Sequence, residues 1–259
     1  MFELEMFPAR DGDALVLTWG NTASPRRMLI DGGREGTWKT IRKAFGGLPE
    51  VERTFVLLVV THIDADHIAG VLAMLSDPKR EINFKQVWFN AYHHLVGGTW
   101  ESFGPAQGET LSDYLKERRE AWNRAFAGNA IVVEPGATLP RCEIAGLKLT
   151  LLSPTRDRLE ALAPGWKRYL ETEGLGRKQK PRVEPALKTM VPEGYEAFGP
   201  SPNVNALART PEDPDTAPPN GSSIAFAAEY EGKRVLLCAD AHPDVLEKAN
   251  VTSGRSTPV

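Results

Sequence analysis

Cysteine and histidine are scarce in this chain, and neither sign of charge dominates. Its two cysteines, Cys142 and Cys238, cannot build a disulfide framework and fit a reducing compartment, so a cytoplasmic protein is expected. Cys238 follows Val235-Leu236-Leu237 and reads as a small buried residue rather than a ligand. No apolar run approaches the roughly eighteen residues of a membrane span. The opening Phe2-Glu3-Leu4-Glu5-Met6-Phe7 alternates apolar and acidic residues like a strand, unlike a signal peptide, so no membrane partner is expected. A net charge of −3 gives no global attraction for nucleic acid. With five histidines in 259 residues, each can be weighed individually.

Two of the five fall in one place. The apolar run Phe55 to Val60 reads as a buried strand, and it delivers Thr61-His62-Ile63-Asp64-Ala65-Asp66-His67. Ile68 to Leu75 then continues as a helix with apolar residues to pack back on the sheet. A helix-capping Asp accounts for one carboxylate in such a turn. It does not account for two histidines flanking two carboxylates, which is the donor set a divalent cation requires.

The pattern His-x-Asp-x-Asp-His after a hydrophobic strand resembles the signature of the metallo-β-lactamase fold superfamily. The Asp64 variant is similar to the hydrolase domain of ComEC-type DNA-uptake proteins. Two more segments resemble that branch and come in its order. One is Ala9-Arg10-Asp11-Gly12-Asp13-Ala14-Leu15-Val16-Leu17 with Leu29-Ile30-Asp31-Gly32-Gly33. The other is Asn220-Gly221-Ser222-Ser223-Ile224-Ala225-Phe226 with Arg234 to Ala241.

The resemblance implies an α/β protein, a four-layer αβ/βα sandwich over residues 1–247, with metals at one rim where strand ends converge. It implies two divalent metal ions. Zn²⁺ is the first choice, and Asp64 in place of an imidazole raises Mn²⁺ or Fe²⁺ as alternatives. His62, Asp64 and His94 would hold one ion, Asp66 and His67 the other, with Asp240 bridging. Asp66 is also the candidate to orient the nucleophilic water. His93 is the alternative to His94, since both end the strand before them. Asp240 otherwise reads as a cap for a helix at Pro243 to Lys248. His242 is a further candidate ligand that reads equally as a loop histidine, and Asp31 is a support behind the ligands.

The implied fold would continue past Asp240 to another strand bearing a histidine. Residues 248–259 have no hydrophobic periodicity and no histidine. They read as an irregular tail, so the sandwich is expected to lack its last strand and helix. An open sheet edge there would invite a dimer or a partner chain.

The rest of the chain reads as β and α segments in alternation. Phe2 to Phe7, Ala14 to Trp19 and Arg27 to Ile30 read as strands, and Thr37 to Phe45 as a helix stopped by Gly46-Gly47. Gln86 to Phe89 reads as a strand and Leu111 to Phe126 as an amphipathic helix. Ile131 to Val133, Cys142 to Ala145 and Leu147 to Leu152 read as strands, and Arg156 to Glu173 as a helix. Gly174 to Pro219, rich in Pro, Gly and charge, reads as a surface insertion or lid. Ser223 to Tyr230 and Lys233 to Leu237 read as a hairpin about Glu231-Gly232.

From Arg156 to Lys188 nine basic residues face five acids. That surplus reads either as a phosphate-tracking patch or as a solvated surface. The leading function implied by the resemblance, and supported weakly by this stretch, is a metal-dependent phosphodiesterase or nuclease. The alternatives are a hydrolase of a small ester, thioester or lactam, since fold does not fix substrate, and a shortened domain that binds a partner without turnover.

Overall fold

The computed structural model describes residues 1–96, 106–167 and 215–252. Apart from Asp215, these belong to one compact unit.

Alternation in three neighbouring strands of one sheet decides the architecture. After β1 (Phe2–Met6) come β2 (Leu15–Asn21) and β3 (Ser24–Ile30). Helices α1 (Thr37–Phe45) and α2 (Glu50–Arg53) lead to β4 (Thr54–Phe55) and β5 (Leu57–Val59). Leu17, Trp19, Met28, Ile30, Leu57 and Val59 face one way, and Val16, Leu29, Leu58 and Val60 the other. Both sets are buried, because this sheet is covered on both faces.

Helix α3 (Ala65–Ser76) follows, then β6 (Asn83–Phe84), β7 (Val87–Trp88), α4 (Tyr92–Val96) and α5 (Ala106–Glu117). The first large sheet has the order β1-β2-β3-β5-β7, antiparallel at β1-β2-β3 and parallel beyond. The chain continues through β8 (Arg141–Ile144), β9 (Leu147–Ser153), α6 (Arg156–Ala161), α7 (Pro218–Gly221), β10 (Ala225–Tyr230), β11 (Lys233–Leu237) and α8 (Pro243–Thr252). The second sheet, β11-β10-β9-β8, is antiparallel throughout.

Three apolar clusters give four layers. Trp38, Ile41, Ile68, Val71 and Leu111 from α1, α3 and α5 pack on one face of the first sheet. Its other face meets Ile144, Leu147, Leu149, Leu151, Phe226 and Leu237 of the second sheet. The far side of the second sheet packs Ala225 and Ala227 against Ala249 and Leu246 of α8. Helix, sheet, sheet and helix are thus stacked as the expected αβ/βα sandwich.

Several elements differ from their sequence reading, each for a tertiary reason. The expected strand Phe55 to Val60 is divided: Thr54–Phe55 pairs with Asn83–Phe84 in a separate two-stranded sheet, while Leu57–Val59 joins the large one. The helix expected over Leu111 to Phe126 is Ala106–Glu117 instead. The chain leaves the helix at Arg119, whose φ is +52° and whose N–H returns to Lys116 O, and Asn123 beyond it bonds the chain after β7: its Oδ1 accepts Phe89 N–H at 3.0 Å and its Nδ2 donates to Phe89 O. Ile131 to Val133 does not form a ladder strand, because Ile131 N–H and C=O bond the Asn90 side chain at 2.8 Å each.

Helix α8 extends to Thr252, through the first five residues of the tail read as irregular. Pro218 and Pro219, read as part of the insertion, open α7, where proline's missing N–H costs nothing. Residues 174–214 of that insertion, 168–173 of the expected helix and 253–259 lie outside the described residues.

Candidate metal centre

The site forms where β3, β5 and β11 end along one rim, and glycines set the closeness of approach. A Cβ on Gly70 of α3 would lie 1.9 Å from Gly32 O, and one on Gly32 would lie 2.4 Å from Val71 N. Only bare backbone permits this contact. Gly32 N–H donates to His67 O and Gly70 N–H to Gly33 O, at 2.9 and 2.8 Å. The turn after β3 is thereby locked on the first turns of α3, and Asp31 reaches beneath the motif. Across the rim, Ile224 N–H donates to Thr61 O at 3.0 Å, stitching the second sheet to the first.

Asp31 is fully buried and organises both motif histidines. Its Oδ1 accepts Thr61 N–H at 2.8 Å and its Oδ2 accepts the Thr61 hydroxyl at 2.6 Å. The same Oδ2 accepts His67 Nδ1–H at 2.9 Å. Because the Thr61 proton goes to Asp31, Thr61 Oγ1 can only accept from His62 Nδ1, 2.9 Å away. Both histidines therefore turn Nε2 toward the same space, the arrangement that orients metal-ligating imidazoles.

In that space His62 Nε2, His67 Nε2 and an Asp240 oxygen lie within 4.8 Å of one another. Asp240 Oδ2 is 3.8 Å from His62 Nε2 and 3.5 Å from His67 Nε2. Asp64 Oδ2 flanks His62 at 3.8 Å and Asp66 Oδ2 flanks His67 at 3.9 Å. Asp64 occupies the N-cap position of α3 without its side chain bonding a helix N–H, so its carboxylate is not spent on capping. His62 Nε2 is buried and has no hydrogen-bond partner. A buried acceptor in that condition costs free energy unless a ligand meets it.

The electrostatics are one-sided. Asp13, Asp31, Asp64, Asp66 and Asp240 converge here, and among the described residues none of them is paired with Lys or Arg. Burial pushes the His67 ring down, but its hydrogen bonds to Asp240 and Asp31 outweigh this and lift it to about 10. The His67 contact holds Asp240 below the usual carboxylate range. Burial pushes Asp64 up and His62 down. The donor set, two imidazoles and several carboxylates lacking a basic partner, fits a divalent cation.

The structure does not bring the other histidines here. His94 Nδ1 accepts Ala91 N–H at 3.0 Å and its Nε2 donates to Gly128 O at 3.2 Å, so both ring nitrogens are engaged. Burial drives its pKa down to about 3. His93 lies tilted against His94 with ring centres 3.8 Å apart, edge-on to Trp122, and burial pushes it down to about 4. His242 lies against Gly221, where a Cβ would be 2.9 Å from its Cε1, with its Nε2 on Ala217 O at 3.2 Å. Of the basic stretch, Arg156 pairs with Glu134 and Arg158 with Asp244, and 168–188 lies outside the described residues.

Thr61 and Asp13 have places at the site that the sequence reading did not assign. The hydroxyl beside His62 and the Asp11-Gly12-Asp13 turn were the signals available.

No family model and no curated protein matches the chain. Among solved structures it is similar to a HARLDQ-motif mutant of a metallo-β-lactamase from Cronobacter sakazakii. The identity is 14% and the TM-score 0.29, over 55% of this chain. The chain spans 47% of that protein's length.

Proposed function

We propose that this chain is a metal-dependent hydrolase of the metallo-β-lactamase superfamily acting on a phosphodiester, in the branch that includes ComEC-type domains. The observation that carries the metal reading is His62 Nε2, buried and unpartnered beside His67 Nε2 and Asp240 Oδ2. The order of the three sequence motifs supports the branch and the substrate class.

In this reading His62, Asp64 and Asp240 would hold one divalent cation, and Asp66, His67 and Asp240 a second. Cations so held supply Lewis acidity, lowering the pKa of water and polarising a phosphoryl oxygen. The protein's own work is orientation. Asp31 and Thr61 fix both Nδ1 protons and so aim both Nε2 lone pairs. Asp66, in the first turn of α3 and partly exposed, would accept the proton of an attacking water, a role its 3.9 Å contact to His67 supports.

The test is hydrolysis of bis(4-nitrophenyl) phosphate and of single-stranded DNA with Mn²⁺ or Zn²⁺, alongside a lactam and a thioester. Phosphodiester turnover lost in Asp66→Asn supports the reading. Turnover of the lactam or thioester alone would transfer the site to small-molecule hydrolysis. A second reading, a metal-holding domain without turnover, is favoured by the engagement of both His94 nitrogens. Bound metal with none of the four substrates cleaved would support it.

A further inference from the structure

The loop between β1 and β2 meets the metal motif through Gly12. A Cβ on Gly12 would fall 1.8 Å from Asp66 O and 2.8 Å from Asp66 Cβ, so the loop backbone lies directly on the first turn of α3. Two residues on, Ala14 is buried, and its carbonyl accepts Phe7 N–H at 2.9 Å. On the other side, Asp11 is held by the Arg34 guanidinium. Asp13 is therefore pinned from both directions, between a neighbour seated on Asp66 and a neighbour locked in the core.

That contact brings the loop to one half of the centre. Asp64 flanks His62 and Asp66 flanks His67, with Asp240 reaching both. The loop rests on Asp66, hence on the His67 half. Burial pushes the Asp13 carboxyl above its usual range, and the charges that act on it are His67, Asp31, Asp240 and His62, with no Lys or Arg among them. Asp13 is only half-buried, and at this point the chain brings a further negative charge against an already anionic cluster. A bound divalent cation would balance that charge and give the Asp13 carboxylate a partner. The buried, unpartnered His62 Nε2 in the same cluster points independently to a bound ligand.

We propose that Asp13 is a further carboxylate of the centre, a donor to the divalent cation on the Asp66–His67 side. The inference rests on the metal reading above. It also predicts a preference on that side: with Asp66, Asp240 and Asp13 against one imidazole, the half is rich in hard oxygen donors and favours Mn²⁺ over softer ions.

The experiment is calorimetric titration of the metal-free full chain with Mn²⁺, for wild type, Asp13→Asn and Asp13→Ser, with the thermal midpoint of each metal-free protein. The expected result is two binding events in wild type, with one weakened at least tenfold in both variants and the other retained. The metal-free midpoint should be unchanged or raised, since each variant removes charge repulsion. Unchanged affinities in both variants would overturn the role of Asp13. So would a lowered metal-free midpoint with both events weakened together, which marks a purely structural residue. Wild-type protein that binds no metal would instead overturn the metal reading itself.

Discussion

Asp31 Oδ2 accepts the Nδ1 proton of His67 at 2.9 Å, inside a pocket where Asp31 has no exposed surface. The same oxygen takes the Thr61 hydroxyl, and through Thr61 the contact extends to His62. One carboxylate thus sets the tautomer of both imidazoles.

Asp31→Asn should therefore damage binding and folding together. An amide at this position cannot accept from Thr61 and His67 as the carboxylate does, and His67 loses a buried partner. We expect metal affinity to fall about 10–100-fold. Breaking the buried pair should destabilise the metal-free protein by about 3 kcal/mol. Calorimetric titration and urea denaturation check the two parts separately.

The metal-free protein should lose stability in alkali because of His67. Its pKa in the fold is about 10, above the ordinary 6.5, so the folded state holds the proton more tightly than the unfolded one. That contribution is fully present below pH 6.5 and is lost as pH rises through 10. Allowing for the half-exposed Asp240 partner, the loss is on the order of 3 kcal/mol. His67→Gln should flatten the slope in urea midpoints measured across that range. Since a cation must displace the His67 proton, metal affinity should rise about tenfold per pH unit over the same interval.

His94 tests where the metal reading departs from the family pattern. His94→Leu removes the partner of Ala91 N–H and of Gly128 O, and should destabilise the fold by about 1–3 kcal/mol. Metal stoichiometry, measured by elemental analysis, should not change. Acid sensitivity should: with pKa values of about 4 for His93 and 3 for His94, their stability contribution is full above 6.5 and fades as pH falls toward 3. The variant should lose part of that decline.

Much of this site was legible because its chemistry is local. His62, Asp64, Asp66 and His67 sit within six positions, and an apolar strand before them with an apolar helix after fixes their rim location. Asp240 was legible as the carboxylate ending the last strand. His94 was not, because its environment is made by Gly128, thirty-four residues away, and by a local turn at Ala91. The same holds for Asn123, whose side chain bonds the Phe89 backbone thirty-four residues earlier in a stretch that periodicity alone would have read as helix. The sandwich itself was legible through the resemblance, and the structure shows how β2, β3 and β5 build it, with one buried face toward each neighbouring layer.

Gly70 and Gly36 form a matched pair of tests for the glycine contact. Gly70→Ala places a methyl 1.9 Å from Gly32 O, so the Asp31 turn must separate from α3. A loss of about 2 kcal/mol or more is expected despite alanine's better helix propensity, with metal binding weakened as Asp31 moves. Gly36→Ala, with nothing within 4 Å of the new methyl and an ordinary helical φ of −64°, should leave both unchanged. Thermal midpoints with and without Mn²⁺ distinguish the two.

The central claim is that His62, His67 and Asp240 hold divalent cations, and metal content per chain tests it most directly. Protein purified without chelator, then supplied with Zn²⁺ or Mn²⁺ and desalted, should carry two ions per chain by elemental mass spectrometry. A folded His62→Gln, Asp240→Asn double variant should carry none. A wild-type chain that retains no metal after supply, or a double variant that retains as much as wild type, would contradict the account.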